Sequence, residues 1–427
     1  MFASCLISPG CRGRTSCLRL LLGLLLLLVR PALSPAQPRA FRFERKGAHQ
    51  VKMHFELQRN LIVLAVRLNN KGPYNFLLDT GVATSLITDP ALLTELHLRT
   101  GARFRVSGAG EAAPLEAFRT DSVRVQLPGV VAPHLSFLIL SEDALNLSGY
   151  VGMPIHGILG ADVFNSFVVS VRPGESMLVL HDPARYKRPR SRRWTSLPLD
   201  MEGNKAYLTT PVALTDSLTL PLKLILDTGA GHALSIETSS DARLRIPPAR
   251  LRTQLGRGLN GFINGYLGRV AALQLGRYTL KSPITSFPDP ADFALRAEVP
   301  RNGNIGFEVL KRFDIVINYS QNYLLLRPNT LFRDPFEQDM CGFEILATGL
   351  NFRRYLVVRI QPGSPAEHAG LQAEDELVYI NLLPSSVFTL TQLSRIFHSG
   401  DGRVVLLVVR RASGEIYTTT IKLKRQI

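Results

Sequence analysis

Apolar positions along the chain come in short runs broken by Gly, Pro and Asn, a pattern typical of β-strands. Residues 61–68 and 207–214 are two such runs, and turn residues follow the first of them at positions 69–73. Long amphipathic helical windows are scarce before residue 330. This part of the chain is therefore predicted to be mainly β, in closed or sandwiched sheets.

Two further apolar runs end in the same triplet. Residues 76–78 lead into Asp79-Thr80-Gly81, and residues 224–226 lead into Asp227-Thr228-Gly229. A second correspondence, at an offset of 146 residues, aligns residues 160–171 with residues 306–317 without a gap. A register of this length indicates two homologous lobes, each contributing one Asp-Thr-Gly triplet.

The pattern changes near Gln338. A turn, one helical turn and a glycine stop fill residues 362–371, and a strand follows at 375–381. Residues 390–397 read as an amphipathic helix with Leu390, Leu393 and Phe397 on one face. With strands predicted at 404–409 and 416–423, the C-terminal part is a small α+β domain.

The first 36 residues have the features of a secretory signal peptide. Arginines precede an apolar run from Leu20 to Val29, which is about half the length that a membrane-spanning helix needs. We therefore expect an exported protein, periplasmic or extracellular. Three of the four cysteines lie in this segment, so only Cys341 would remain and no internal disulfide is predicted.

The predicted organisation is a signal peptide at 1–36, a first lobe at 37–184, a basic linker at 185–195, a second lobe at 196–334 and a C-terminal domain at 338–427. The net charge is +16, and six positive charges lie between Arg185 and Arg193. This cluster has no apolar periodicity, so it is interpreted as an exposed linker. The alternative is that it also touches a membrane surface; no nucleic-acid partner is predicted.

The repeated triplet can carry acid–base chemistry. Two carboxyl groups about 3 Å apart cannot both ionise cheaply, so they share a proton. The ionised member can take a proton from a water that attacks a peptide carbonyl, while the protonated member hydrogen-bonds the carbonyl oxygen. This mechanism requires no cofactor, and the histidines lack paired spacing, so neither a cofactor nor a metal site is predicted. His232 is interpreted as lining a subsite or capping a turn.

The chain resembles the aspartic proteases. Its two repeats are most similar to the retropepsin-like lobes, which here would be fused in one chain. The resemblance rests on both Asp-Thr-Gly triplets and on Ile158-Leu159-Gly160 and Asn304-Ile305-Gly306, about 80 residues behind them. Two positions depart from the family pattern: Asn304 stands where an apolar residue is expected, and Val82 where Ala or Ser is usual.

The resemblance implies two retropepsin-like β-barrel lobes related by a pseudo-twofold axis, with Asp79 and Asp227 as the catalytic pair. It implies that Thr80 and Thr228 hydrogen-bond across the axis and that Gly81 and Gly229 permit the turns. The triplets that end in Gly160 and Gly306 would support the catalytic loops from behind.

Two glycine-rich segments are candidate flaps over a cleft. The first covers residues 106–111 with Gly108 and Gly110, and the second covers residues 258–265 with Gly258 and Gly261. The alternative is that each is an ordinary surface turn.

The C-terminal domain resembles a PDZ domain. Met340-Cys341-Gly342-Phe343 stands at the position of the carboxylate-binding loop, and Ile380-Asn381 matches an Ile-Asn pair of that family. The resemblance implies that a peptide C-terminus pairs with the strand after the loop and that Cys341, Gly342 and Phe343 bind it. The alternative is a module that only packs against the lobes.

The sequence thus predicts an exported aspartic endopeptidase acting on peptides or proteins, with a PDZ domain that binds peptide termini or regulates access. Two alternatives stay open. One is a peptide-binding scaffold that keeps the fold without cutting. The other is a protease whose aspartate pair forms between two chains.

Overall fold

The computed structural model describes residues 39–106, 108–110, 114–293 and 299–427. The predicted signal peptide at 1–36 lies outside the described residues. Two β-rich lobes and a C-terminal module follow one another, which confirms the predicted mainly β fold with a small α+β module.

The strands of the first lobe are two to thirteen residues long, and the lobe also contains three short helices. Its elements are β1 (Arg42–Phe43), β2 (Gln50–His54), β3 (Glu56–Gln58), β4 (Leu61–Leu68), β5 (Lys71–Leu78), β6 (Leu86–Ile87), α1 (Ala91–Glu95), β7 (Arg103–Val106), β8 (Leu115–Leu127), β9 (Val130–Leu140), α2 (Leu147–Val151), β10 (Gly157–Leu159), α3 (Ala161–Ser166), β11 (Val168–Arg172) and β12 (Met177–His181).

The second lobe repeats much of this plan. Its elements are β13 (Thr195–Pro198), β14 (Asp200–Glu202), β15 (Lys205–Ala213), β16 (Thr219–Leu226), β17 (Leu234–Ile236), β18 (Arg250–Gly258), β19 (Gly261–Arg269), β20 (Ala272–Leu275), β21 (Tyr278–Lys281), β22 (Ile284–Pro288), α4 (Pro290–Phe293), β23 (Gly303–Ile305), α5 (Phe307–Leu310), β24 (Phe313–Asn318) and β25 (Tyr323–Pro328).

The C-terminal module has its own sheet and its own apolar core. Its elements are β26 (Phe343–Thr348), β27 (Arg354–Ile360), α6 (Pro365–His368), β28 (Glu376–Ile380), β29 (Leu383–Pro384), α7 (Leu390–Phe397), β30 (Val404–Arg410) and β31 (Ile416–Lys422). Short 3-10 turns complete the described parts of the chain at Pro173–Glu175, Thr238–Ser240, Thr330–Arg333 and Ser385–Val387.

The two lobes place equivalent strands in equivalent positions. The order is β1-β9-β6-β10-β5-β4-β8-β7 in the first lobe and β18-β19-β22-β17-β23-β16-β15-β20-β21 in the second. In both, the strand before the Asp-Thr-Gly triplet lies between the preceding antiparallel strand and a short parallel strand. That strand is β5 in the first lobe and β16 in the second.

The strands before the triplets change from alternating burial to continuous burial. In β16 the inward positions alternate along Leu220, Leu222 and Leu224, and then Ile225 and Leu226 are both buried. The end of β5 follows the same pattern. A strand buried on both faces ends inside the protein, so each aspartate enters at the boundary of the core.

The pseudo-twofold axis passes through a sheet that both lobes share. Its strand order is β13-β25-β24-β11-β12-β2, and its central pair joins β11 of the first lobe to β24 of the second. Ser170 pairs directly with Val316. These residues are equivalent in the 146-residue repeat, so the axis passes through this pair.

The basic linker runs over this shared sheet without helix or strand until β13 begins at Thr195. Tyr186 and Trp194 pack against its outer apolar cluster, and the Arg188 guanidinium lies 4.3 Å from the centre of the Tyr323 ring. Among the described residues, no helix has the length and apolar character needed to cross a membrane.

Candidate active site

Each Asp-Thr-Gly loop begins where its strand ends and is held from behind. The Asp79 amide donates to the Leu159 carbonyl (2.9 Å), and the Asp227 amide donates to the Ile305 carbonyl (3.0 Å). The short strands β10 and β23 that supply these carbonyls run parallel to β5 and β16. The segments ending in Gly160 and Gly306 therefore lie behind the two loops.

Four hydrogen bonds of 3.0 Å or less join the loops across the axis. The Thr80 amide donates to Thr228 Oγ1 and the Thr228 amide donates to Thr80 Oγ1, each at 3.0 Å. The Thr80 hydroxyl donates to the Leu226 carbonyl (2.5 Å), and the Thr228 hydroxyl donates to the Leu78 carbonyl (2.9 Å). Both threonines are fully buried, so these bonds are sheltered from water.

Gly81 and Gly229 let the carboxyl groups approach. Their amides donate to the aspartate of their own loop, at 2.6 Å for Asp79 Oδ1 and 3.1 Å for Asp227 Oδ1. A Cβ on Gly81 would lie 3.0 Å from Asp227 Oδ1, and a Cβ on Gly229 would collide with the Asp79 carboxyl group. Each carboxyl group thus faces the glycine of the other lobe, and the structure brings the two aspartates together within one chain.

The Asp79 carboxyl group is buried beside that of Asp227. Burial, followed by the negative charge of Asp227, raises the pKa of Asp79 to about 8, against the lowering effect of amides at Gly81 and Gly229. Near neutral pH, Asp79 is therefore protonated in the folded protein.

Asn304 and His232 form a polar chain on the Asp227 side. Asn304 Nδ2 donates to Asp227 Oδ2 (2.9 Å), and Asn304 Oδ1 lies 2.8 Å from His232 Nε2. Because Asn304 donates through Nδ2, its Oδ1 faces the imidazole as an acceptor, so His232 donates from Nε2. Ile158, the equivalent residue of the first lobe, has no donor. A side-chain donor behind the loop is therefore present on the Asp227 side of the pair and not on the Asp79 side.

Sequence models of known families match three segments of the chain. An aspartyl protease model matches residues 64–163 and 211–309, and a PDZ domain model matches residues 356–411. The two lobes are aspartyl protease domains. The C-terminal module is a PDZ domain, and both resemblances stated from the sequence are confirmed. None of the curated proteins compared with the chain matches it.

The candidate flaps of the two protease lobes meet at their tips. The first is the turn between β7 and β8, of which residues 107 and 111–113 lie outside the described residues. The second is the turn between β18 and β19. The Asn260 amide donates to the Ala109 carbonyl (3.0 Å), and Asn260 Oδ1 accepts from the Gly108 amide. A Cβ on Gly110 or Gly258 would collide with the opposite tip, whereas Gly261 has a φ of +93°.

The second tip also reaches the apolar surface of the first protease lobe. Leu259 packs against the cluster that includes Leu61 and Leu77, and Val82, which follows the first Asp-Thr-Gly triplet, packs against the same cluster. This contact between lobes supports the flap interpretation, and the role of these hairpins as lids stays a prediction.

The predicted peptide-binding residues of the PDZ domain lie in and after its loop. Cys341 is completely buried, Gly342 has a φ of +79°, and Phe343 is the first residue of β26. Burial raises the pKa of the Cys341 thiol, so this side chain is an unreactive part of the core.

Sequence reasoning missed the contribution of Asn304 and His232. The available signal was the polar residue at position 304, because a polar side chain behind the Asp-Thr-Gly loop needs a hydrogen-bond partner. His232 lies only five residues after Asp227, but its contact with Asn304 joins residues 72 positions apart.

Removing the ionisable group at Asp79 should flatten the dependence of stability on pH. Unfolded Asp79 ionises near its ordinary pKa, whereas the folded group stays protonated until about pH 8, so stability falls as pH rises between these values. Thermal unfolding should show a smaller loss between about pH 5 and about pH 9 for Asp79→Asn than for the wild type.

The exposed Asp216 provides the matched control for this measurement. Asp216→Asn should keep the wild-type dependence on pH. An Asp79→Asn protein that loses as much stability as the wild type over this range would contradict the raised pKa of Asp79.

Replacing Asn304 by the residue of the other lobe should lower the rate of the peptide cleavage expected from the sequence. In Asn304→Ile the Asp227 carboxyl group loses the hydrogen bond from Asn304 Nδ2 that orients it, and a hydrogen bond to a charged group is worth about 1.5–3 kcal/mol. The value of kcat/KM should therefore fall by about tenfold or more. His232→Leu should lower it less, because the amide remains but is no longer oriented. An unchanged kcat/KM in folded Asn304→Ile would show that this amide does not act on Asp227.

Proposed function

We propose that this chain is an exported aspartic endopeptidase that hydrolyses internal peptide bonds of peptides or proteins. The proposal rests on one observation. The two loops are joined by hydrogen bonds, and Asp79 and Asp227 face each other between them. The hydrogen bonds between the loops support an intramolecular pair. The threonine bonds that fix the two loops join the two lobes of the same chain.

In the proposed reaction, a water lies between the two carboxyl groups. Asp227, which has the Asn304 donor, takes a proton from the water as its oxygen attacks the peptide carbonyl carbon. Protonated Asp79 hydrogen-bonds the carbonyl oxygen as negative charge develops there. The proton taken by Asp227 then passes to the leaving nitrogen when the C–N bond breaks, and the pair returns to its single shared proton.

The proposed substrate lies extended under the two hairpin tips, and their contacts at Ala109 and Asn260 would have to open to admit it. The PDZ domain is proposed to bind peptide C-termini or to regulate access. The proposal of export rests on the apolar run from Leu20 to Val29 behind a positively charged segment.

Incubation of the purified chain with a mixed peptide library tests the activity. Internal cuts that a tetrahedral-diol inhibitor suppresses are expected, because such a compound occupies the place of the attacked carbonyl. Asp227→Asn should lower the cleavage rate by at least about a thousandfold, whereas Asp216→Asn should cut like the wild type. Binding of library peptides without any cut product would instead favour the scaffold alternative.

A further inference from the structure

The groove of the PDZ domain runs between β26 and α7. Among the described residues, β26 pairs only with β27, so its other edge faces this groove. The rings of Phe343 and Phe397 lie 4.9 Å apart at the loop end, and Leu390 starts α7 at the opposite end. Six apolar side chains of the two elements are nevertheless buried: Phe343, Ile345, Ala347, Leu390, Leu393 and Phe397.

The first protease lobe covers the end of the groove away from the loop. Helix α2 contacts β26, and Gly152, just after this helix, lies between the two walls. A Cβ on Gly152 would be 2.8 Å from the Leu390 Cβ and 3.7 Å from the Ala347 Cβ. A peptide paired with β26 would have to leave the groove at this end, so Gly152 stands in its path.

Hydrogen bonds hold this arrangement. The Arg59 amide donates to Thr391 Oγ1 (3.2 Å), and the Thr391 hydroxyl donates to Gln58 Oε1 (2.6 Å). Thr391 is the second residue of α7, so the turn between β3 and β4 is fixed to the helical wall of the groove. The Arg59 guanidinium also lies 4.4 Å from the centre of the Tyr150 ring in α2.

The loop end of the groove already holds a carboxyl group. Asp339 Oδ1 accepts hydrogen bonds from the Cys341 amide (3.0 Å) and the Gly342 amide (2.6 Å). Amides of this loop are the donors that a peptide carboxylate uses in C-terminal recognition. Asp339 therefore occupies donors that an incoming C-terminus would need.

We propose that the PDZ groove is occupied from within the chain, by Gly152 and α2 at one end and by Asp339 at the other. A peptide with a free C-terminal carboxylate then binds only by displacing both. Since displacement consumes part of the binding free energy, the full chain captures such peptides more weakly than a chain whose internal contacts are removed.

The turn that contacts the PDZ groove also contacts the loop that carries Asp227. Asn60 Nδ2, in the same turn as Arg59, donates to the Gly231 carbonyl (2.9 Å), two residues after the Asp227-Thr228-Gly229 triplet. A Cβ on Gly231 would lie 2.8 Å from the Arg59 carbonyl oxygen. The turn that closes the groove therefore also packs against the second catalytic loop.

Peptide capture by the full chain tests the proposal without any cleavage readout. The probe is an immobilised library of short random peptides with free C-termini, and the same library with amidated C-termini measures binding elsewhere. Thr391→Val removes both hydrogen bonds that tie the turn to α7, and should raise capture of free C-termini severalfold, up to about tenfold. Thr420→Val is the matched control because Thr420 is exposed on β31, at the opposite edge of the sheet, and should capture like the wild type.

A second pair of variants tests the loop end. Asp339→Ala frees the amides of Cys341 and Gly342 and should raise capture of free C-termini, but not of amidated ones. Asp339→Asn keeps an oxygen acceptor at this position and should raise capture less. Circular dichroism verifies that each variant is folded. Capture that is the same in folded Thr391→Val, Asp339→Ala and wild type, whether strong or absent, would overturn the proposal and would leave the proposed protease activity untouched.

Discussion

The cleft depends on holding two carboxyl groups close together, with Asp79 buried and Asp227 half-buried. Repulsion between two like charges at such close range is relieved by a retained proton, and the loops have to be fixed against it. The crossed bonds of Thr80 and Thr228 fix the loops, and the pairing of Ser170 with Val316 fixes the axis between the lobes. The raised pKa of Asp79 is the consequence of this burial, and it supplies the proton that the proposed reaction uses.

The symmetry of the backbone is not matched by symmetry of the chemistry. Duplicated lobes supply the same strand, the same triplet and the same carbonyl behind each aspartate. The side chains behind the two loops differ: Asn304 donates to Asp227, whereas Ile158 has no donor for Asp79. The polar chain from His232 through Asn304 therefore reaches the Asp227 side of the pair and has no equivalent behind Asp79.

The sequence was sufficient for features that repeat or that depend on local pattern. Strand β4 and helix α7 were predicted from periodicity, and the two lobes from the register between residues 160–171 and 306–317. Contacts between distant residues carried no such signal. The position of Gly152 between Leu390 and Ala347 depends on how separate domains pack, and neither segment has a composition that marks a docking surface. Asn304 was visible as a departure from the family pattern, but its hydrogen bond to Asp227 became evident only from the fold.

The central claim is that a single chain provides both aspartates of one pair, and mixing two inactive chains tests it most directly. Asp79→Asn keeps Asp227, and Asp227→Asn keeps Asp79, so a pair formed between chains would be restored in part when the two variants are combined. The measurement is the rate of peptide cleavage by the mixture, beside the wild type and each variant alone. We expect the mixture to stay as inactive as its components. Recovery of a substantial fraction of the wild-type rate would contradict it.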